Sequence, residues 1–239
     1  MLKKIIELIL KRLDIKLIRY HNSDESRLIS IINNNNIDVV IDCGANNGLY
    51  SQSLRGLGYK GKIISFEPIK KVFEELQNRS KNDNNWFVNH YALGDKNEDS
   101  TINISNNLSS SSLLNIKEKH ISSEPDSKVV RTEKIQVKTF SSVFNEFNLR
   151  EKSIFFKIDV QGYEEKVLNG SEDVIDRIDV LQVELSLVNL YDQSLLLTDM
   201  IKKINNYGFE LVGFIPVFWD KQSQHMLQVD GIFIRSNLL

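Results

Sequence analysis

Seven short apolar runs separated by helical patterns constrain the fold of this chain more than any other feature of it. They are "DVVIDCG" (38–44), "KIISFEP" (62–68), "WFVNHYAL" (86–93), "IFFKIDV" (154–160), "VLQVELS" (180–186), "FELVGFI" (209–215) and "VDGIFIRS" (229–236). Continuous runs of Val, Ile and Phe read as strands buried on both faces. The amphipathic segments 49–57, 69–81, 162–176 and 194–207 read as the helices that cover them. Strands alternating with helices in this way build an α/β domain: a mostly parallel sheet with helices on both faces. The last two runs are joined only by "PVFWDKQSQHMLQ", which has no clear helical pattern. Sequential strands with a short connection pair antiparallel, so a C-terminal antiparallel hairpin is expected.

Two regions depart from this rhythm. Residues 94–152 hold two further strand candidates, 101–105 and 134–140, around the polar run "NNLSSSSLL". Serine-rich stretches usually act as flexible linkers, yet Leu108, Leu113 and Leu114 flank this one closely. A loop this long in a compact domain is more often a functional lid. The second departure is residues 1–36, read as an amphipathic helix followed by an Asn-rich linker that includes Asn33 to Asn36, with 37–239 as the main domain. Leu2, Ile6, Ile9, Leu13 and Leu17 fall at helical spacing, with lysines and arginines between them. Charge interrupts this segment too often for it to span a bilayer. Residues 1–20 therefore either make a peripheral contact with an anionic membrane surface or dock on the domain, and docking is favoured. Glu7 breaks the apolar stretch and no cleavage site follows it, so a secretory signal is not expected. The lone cysteine, Cys43, fits a reducing, cytoplasmic compartment. A formal net charge of −2 argues against a general nucleic-acid binder.

The stretch "VVIDCGANNGLYSQSL" ends a strand in an acid and opens a glycine-bearing loop before a helix. Ligands of open parallel sheets bind at such strand ends. Gly44 and Gly48 do not match the dinucleotide fingerprint, because Asn46 and Leu49 stand where its later glycines would be. No Gly-Lys-Ser/Thr follows, which excludes a P-loop. A pyrophosphate seeks backbone N–H groups with no acid nearby. Asp42 at the mouth of this loop instead suits a cationic ligand such as S-adenosylmethionine (SAM), and Asn46 can serve its carboxylate and amine together. Glu67, 23 residues after Gly44, ends the next strand. There it can accept both hydroxyls of a ribose, or cap the helix that starts near Pro68.

"DCGANNGLYS", "SFEP", "NHYALGD", "SSSSLL", "KIDVQGYEEKVLNG", "LQVELS" and "LQVDGIF", in this order, resemble the FkbM family of SAM-dependent methyltransferases. The resemblance runs from about residue 38 to 235 and implies a seven-stranded, Rossmann-like class I methyltransferase fold. It implies methyl transfer to oxygen, often on sugar hydroxyls of glycans, glycolipids or secondary metabolites. Carried over by motif, Asp42, Gly44, Ala45, Asn46 and Gly48 would hold the methionine half of the cofactor. Glu67 would hold the ribose, and Asn89 and Ala92 would border the adenine. Gln161 departs from the family, which usually has Glu in this block.

A sugar hydroxyl is a poor nucleophile, so a base should take its proton during transfer. Asp159, at the end of the fourth main strand, is the first candidate, with Lys157 on the same side of the strand to pair with it. Glu164 positions substrate or caps the following helix. Glu184 and His225 are candidates for the acceptor site. Asp159, Glu184 and Asp230 could offer oxygen ligands to Mg²⁺, but three scattered acids make no metal motif. His90 and His120 have no obvious partner. Trp219 and Phe218 could stack on a sugar or lie in the core. The expected activity is SAM-dependent O-methylation of a hydroxyl, with a saccharide acceptor and no nucleic acid. The region 94–133 and the loop 216–228 are expected to line the acceptor site. The alternatives are a non-catalytic SAM- or nucleoside-binding partner protein and an NAD-dependent oxidoreductase.

Overall fold

The computed structural model describes residues 23–239 together with Leu10 and Arg12, so the helix expected over 1–20 lies outside the described residues. The strands are β1 (Val39–Cys43), β2 (Lys62–Phe66), β3 (Trp86–Asn89), β4 (Ala92–Leu93), β5 (Glu98–Ser105), β6 (Val129–Lys138), β7 (Ile154–Ile158), β8 (Val180–Ser186), β9 (Phe209–Trp219) and β10 (Met226–Arg235). The helices are α1 (Asp24–Asn34), α2 (Leu49–Gly56), α3 (Lys70–Ser80), α4 (Glu118–Ser123), α5 (Phe140–Phe144), α6 (Glu164–Asn169) and α7 (Leu197–Asn206).

Seven strands form one sheet in the order β3-β2-β1-β7-β8-β10-β9. The pairs β1–β2, β2–β3, β1–β7 and β7–β8 are parallel, while β10 runs antiparallel to both β8 and β9. This is the mostly parallel sheet with a terminal hairpin that the apolar runs predict. Every residue of β1 is buried, which explains its lack of alternation. Val39 and Ile41 join one core cluster with Phe156 and Phe233, and Val40 joins the other with Phe155 and Ile63. The strand order reverses at β1, between β2 and β7, which opens a crevice at their carboxyl ends.

Residues 94–152 are not idle chain. β5 and β6 pair antiparallel, and β4 joins β6 to make a separate three-stranded sheet. The single run read over 86–93 is therefore two strands in different sheets. The chain changes sheet at His90 and Tyr91, where Tyr91 is buried against Phe66. The helix read over 162–176 is likewise divided into α6 and a 3₁₀ turn. Gly170 lies between them, where a Cβ would collide with the carbonyl oxygen of Gly94.

The Asn-rich linker is the main correction. Residues 24–34 form α1, with the Ser23 hydroxyl accepting from the Ser26 N–H at 3.2 Å and Asp24 and Glu25 in the first turn. Leu28, Ile29 and Ile32 bury against Val40, Phe155, Val180 and Ile232 of the sheet. The asparagine run is thus the end of a core helix. Truncating a buried Ile to Ala removes transfer energy and leaves a cavity. Ile32→Ala should therefore lower stability by about 2–5 kcal/mol in urea unfolding. A change within about 0.5 kcal/mol, the ordinary range for exposed positions, would contradict a core role for α1.

Candidate active site

A cavity of about 360 Å³ opens at the carboxyl ends of β1, β2, β7 and β8, a volume within the range of small-molecule sites. Its floor begins at the loop after β1. The Gly44 and Ala45 N–H groups donate to the Phe66 carbonyl at 3.1 and 3.0 Å, pinning the loop to the end of β2. Gly44 has φ +79°, and a Cβ there would strike the carbonyl oxygen of Asp159. Only glycine allows the loop and the end of β7 to approach so closely.

Glu67 accepts from the Asn46 N–H at 3.0 Å with one carboxylate oxygen and from the Ile69 N–H at 2.8 Å with the other. Burial pushes its pKa up to about 7, against these two hydrogen bonds. It lines the cavity beside Gly44 and Asn46, with lone pairs left for a diol. Ala92 also lines the cavity. The other loop residues lie elsewhere. Ala45 is in the core, and Gly48 starts α2 with Leu76 and Trp86 close behind it. Asn89 is half-buried and donates to the Ser65 carbonyl at 3.2 Å.

Asp42 is fully buried beneath the loop rather than at its mouth. Its register partners are Ser65 and Lys157, and it accepts from the Ser51 hydroxyl at 2.7 Å. Its other oxygen has no hydrogen-bond partner and lies 3.9 Å from the Lys157 ammonium. Burial raises its pKa, and Lys157 opposes that rise. Asp42 does not line the cavity, and its contact on that side is with Lys157. That ammonium is 7% exposed, lies 3.1 Å from Asp159 and sits over the Tyr50 ring at 4.9 Å. Burial disfavours its charge, but Asp159 and Asp42 outweigh burial and raise its pKa.

Asp159 follows β7 immediately and faces the cavity with its side chain 30% exposed. One oxygen accepts from Lys157 at 3.1 Å and the other from the Gln161 amide at 2.9 Å. The same amide nitrogen lies 3.2 and 3.1 Å from the two oxygens of Glu184. Gln161 thus fills the space between two acids with a donor. A Glu in its place would add a third carboxylate to the group. Among the described residues, no group of three His, Cys, Asp or Glu is arranged to hold a metal. Glu184 is buried on the cavity wall and also accepts from Gln228 at 2.7 Å. Burial, then Asp159, pushes its pKa well up.

Three residues considered for the site lie elsewhere. Glu164 is buried and accepts from the Val160 and Gly162 N–H groups at 3.0 and 3.1 Å, so it ties the turn into α6 and does not line the cavity. His225 is exposed in the β9–β10 connection, away from the cavity. Asp230 accepts from Gln182 at 2.7 Å inside the sheet and does not reach the rim.

The serine-rich run forms one wall of the cavity. Ser112 donates to the Gln161 carbonyl at 2.6 Å, and the Ser111 hydroxyl accepts from the Ser105 N–H at 3.0 Å. The serine hydroxyls fasten the wall in place of a flexible linker. Sequence reasoning placed 94–133 and 216–228 near the acceptor and named Phe218 as a residue that could stack on a sugar, but it gave His120 no role and did not mention Gln228; all three line the cavity. For His120 the one signal was its lack of an obvious partner, and for Phe218 it was its aromatic ring beside the last strand.

The donor set fits SAM. Glu67 can take the ribose hydroxyls, and the Gly44–Asn46 loop stands beside Asp159 for the methionine end. The cavity's charged lining consists of Glu67, Glu124, Asp159 and Glu184, with no Lys or Arg among the described residues. That lining matches a sulfonium and ammonium and opposes a pyrophosphate.

No curated protein matches the chain. The fold resembles the METTL16 methyltransferase domain at 8% identity, with 92% of this chain and 70% of that chain covered and a TM-score of 0.50. An rRNA methylase from Streptococcus thermophilus is similar at 10% identity, 90% and 98% coverage and a TM-score of 0.47. Fibrillarin of Aeropyrum pernix, solved with natively bound S-adenosyl-L-methionine, is similar at 9% identity, 82% and 66% coverage and a TM-score of 0.46. The family model described as the methyltransferase FkbM domain matches residues 42–211 and so takes in the cofactor loop, Glu67, Asp159 and Glu184. The chain therefore belongs to the FkbM family of SAM-dependent methyltransferases.

Proposed function

We propose that the protein is an O-methyltransferase that acts on a hydroxyl of an uncharged saccharide. One observation carries this reading: no Lys or Arg lines the cavity among the described residues, and its acids, amides and serines are set among apolar side chains such as Leu113, Val217 and Phe218. An anionic acceptor, nucleic acid included, would find no counter-charge there. When bound, SAM supplies an electrophilic methyl group on a cationic sulfur. The strand order supports an order of contacts along the cavity. Glu67 at the end of β2 anchors the ribose, Asp159 at the end of β7 stands at the centre, and Glu184 and Gln228 on β8 and β10 face the acceptor.

Asp159 receives the hydroxyl proton as the oxygen takes up the methyl group. Lys157 and Gln161 hold its carboxylate in place. Glu184, itself held by two amides, orients the acceptor. The central place of Asp159 supports catalysis over a purely binding role, and the acid-rich lining opposes NAD. The buried Cys43 supports a cytoplasmic location. Among the described residues no helix is long and apolar enough to cross a membrane. Only the sequence pattern of residues 1–20 bears on a peripheral membrane contact, and docking on the domain is the favoured reading of it.

S-adenosylhomocysteine at 100 times its Kd should raise stability by about 2.7 kcal/mol in thermal unfolding, with no shift from NAD⁺. The reverse pattern would remove the reading. Asp159→Asn should lower methyl transfer to methyl glycosides by about 10²–10⁴-fold while leaving S-adenosylhomocysteine affinity intact. Full activity in that variant would end the base assignment. Glu67 holds its proton to a higher pH in the folded state than in the unfolded one. Its contribution to stability is thus full below about pH 4.5 and is lost as pH rises through about 7. In urea unfolding, Glu67→Gln should lose less stability than wild type between pH 5 and 8, and equal slopes would contradict the burial effect.

A further inference from the structure

His120 on α4 lines the cavity, beside Tyr191 and Phe218. The ring centroids are 5.1 and 5.4 Å away, with Tyr191 edge-on and Phe218 tilted. The side chain is only 3% exposed. Its Nδ1 is sealed from solvent without a hydrogen-bond partner, while its Nε2 keeps accessible surface and is bonded by no described residue, so Nε2 is the atom a ligand can reach. Most buried polar side-chain atoms have a partner, so an unbonded imidazole on a cavity wall points to a ligand. The catalytic scheme above makes no use of this residue.

The chemistry of the missing partner follows from the surroundings. Burial pushes the imidazole pKa down to about 4, with Glu124 opposing, so the ring is neutral near pH 7. A neutral imidazole offers one donor and one acceptor. A hydroxyl offers the same pair, whereas a phosphate or carboxylate calls for donors and positive charge. Glu124 is paired with Lys221 at 2.9 Å, and no Lys or Arg lines the cavity among the described residues. Phe218 adds an apolar ring surface to the same wall.

We propose that His120 selects the acceptor by holding a ring hydroxyl of an uncharged sugar while Phe218 packs against the sugar's C–H face. This rests on the saccharide reading given above. His120 is here a substrate-binding residue, separate from the proton acceptor Asp159.

The test uses the full-length protein loaded with S-adenosylhomocysteine, with ¹⁵N-labelled histidine, titrated with the methyl α-glycosides of glucose, galactose, mannose, rhamnose and fucose. At least one glycoside should shift the His120 imidazole signals saturably. With SAM as donor, KM for that glycoside should rise about tenfold or more in His120→Phe. His120→Gln, which keeps a donor and an acceptor, should recover most of that loss. The Kd of S-adenosylhomocysteine should match wild type in both variants. An accepted glycoside whose KM is unchanged in His120→Phe would overturn the role of His120 and leave the saccharide reading standing. Loss of S-adenosylhomocysteine binding in both variants would mark His120 as structural and overturn the proposal too. If no glycoside shifts a cavity signal or accepts a methyl group, the saccharide reading falls and this inference falls with it.

Discussion

A single buried ammonium holds the functional end of this protein together. Lys157 lies between Asp159 at 3.1 Å and Asp42 at 3.9 Å, at the point where β1 and β7 run side by side. A buried charge without partners costs several kcal/mol, and removing one partner from such a group is strongly destabilising. The arrangement therefore demands that both strands end in register, with their acids facing one lysine. Gly44 meets the same demand from the backbone side, since no other residue lets the cofactor loop rest on the carbonyl of Asp159. Cofactor loop and proposed base are thus placed by one contact.

The excess of acid over base around that lysine gives the cavity its character. Asp42, Asp159, Glu184 and Asp230 share one ammonium, and burial raises the pKa of Asp42, Glu184 and Asp230. Such a group is electrostatically incomplete until a cation arrives. A sulfonium meets that need, and a pyrophosphate would worsen the imbalance. The Gln161 amide keeps Asp159 and Glu184 apart without adding charge. The serine wall is fastened to its backbone through Ser112, so one residue ties the proposed base, Glu184 and the serine wall.

Much of this was legible in the sequence. Continuous apolar runs disclosed strands covered on both sides, and the missing helix before β10 disclosed the hairpin. Gly44, Asn46, Glu67, Asp159 and Glu184 were placed by their positions at strand ends, and Lys157 by the two-residue repeat of a strand. What failed has physical causes. Composition hid α1, because four asparagines obscure a helix terminus whose apolar face lies upstream. Asp42 was read as a ligand because linear order does not tell which strand-end side chains lie beneath a loop. Glu164 was ambiguous because a helix cap and an active-site acid look alike until their hydrogen bonds are known. His120 could be flagged as unpaired, but its place on the cavity wall needs the whole insertion to fold over the sheet.

The central claim is that the acid-rich cavity is completed by a cationic cofactor, and calorimetry tests it most directly. SAM and the uncharged-sulfur product S-adenosylhomocysteine should be titrated near pH 7 in buffers of different ionisation enthalpy. Glu67, whose pKa burial raises to about 7, holds part of its proton at that pH, and a bound cation lowers the pKa values of the acids around it. Binding of SAM should release protons, and more of them than binding of S-adenosylhomocysteine. Equal release, or proton uptake with SAM, would contradict the account.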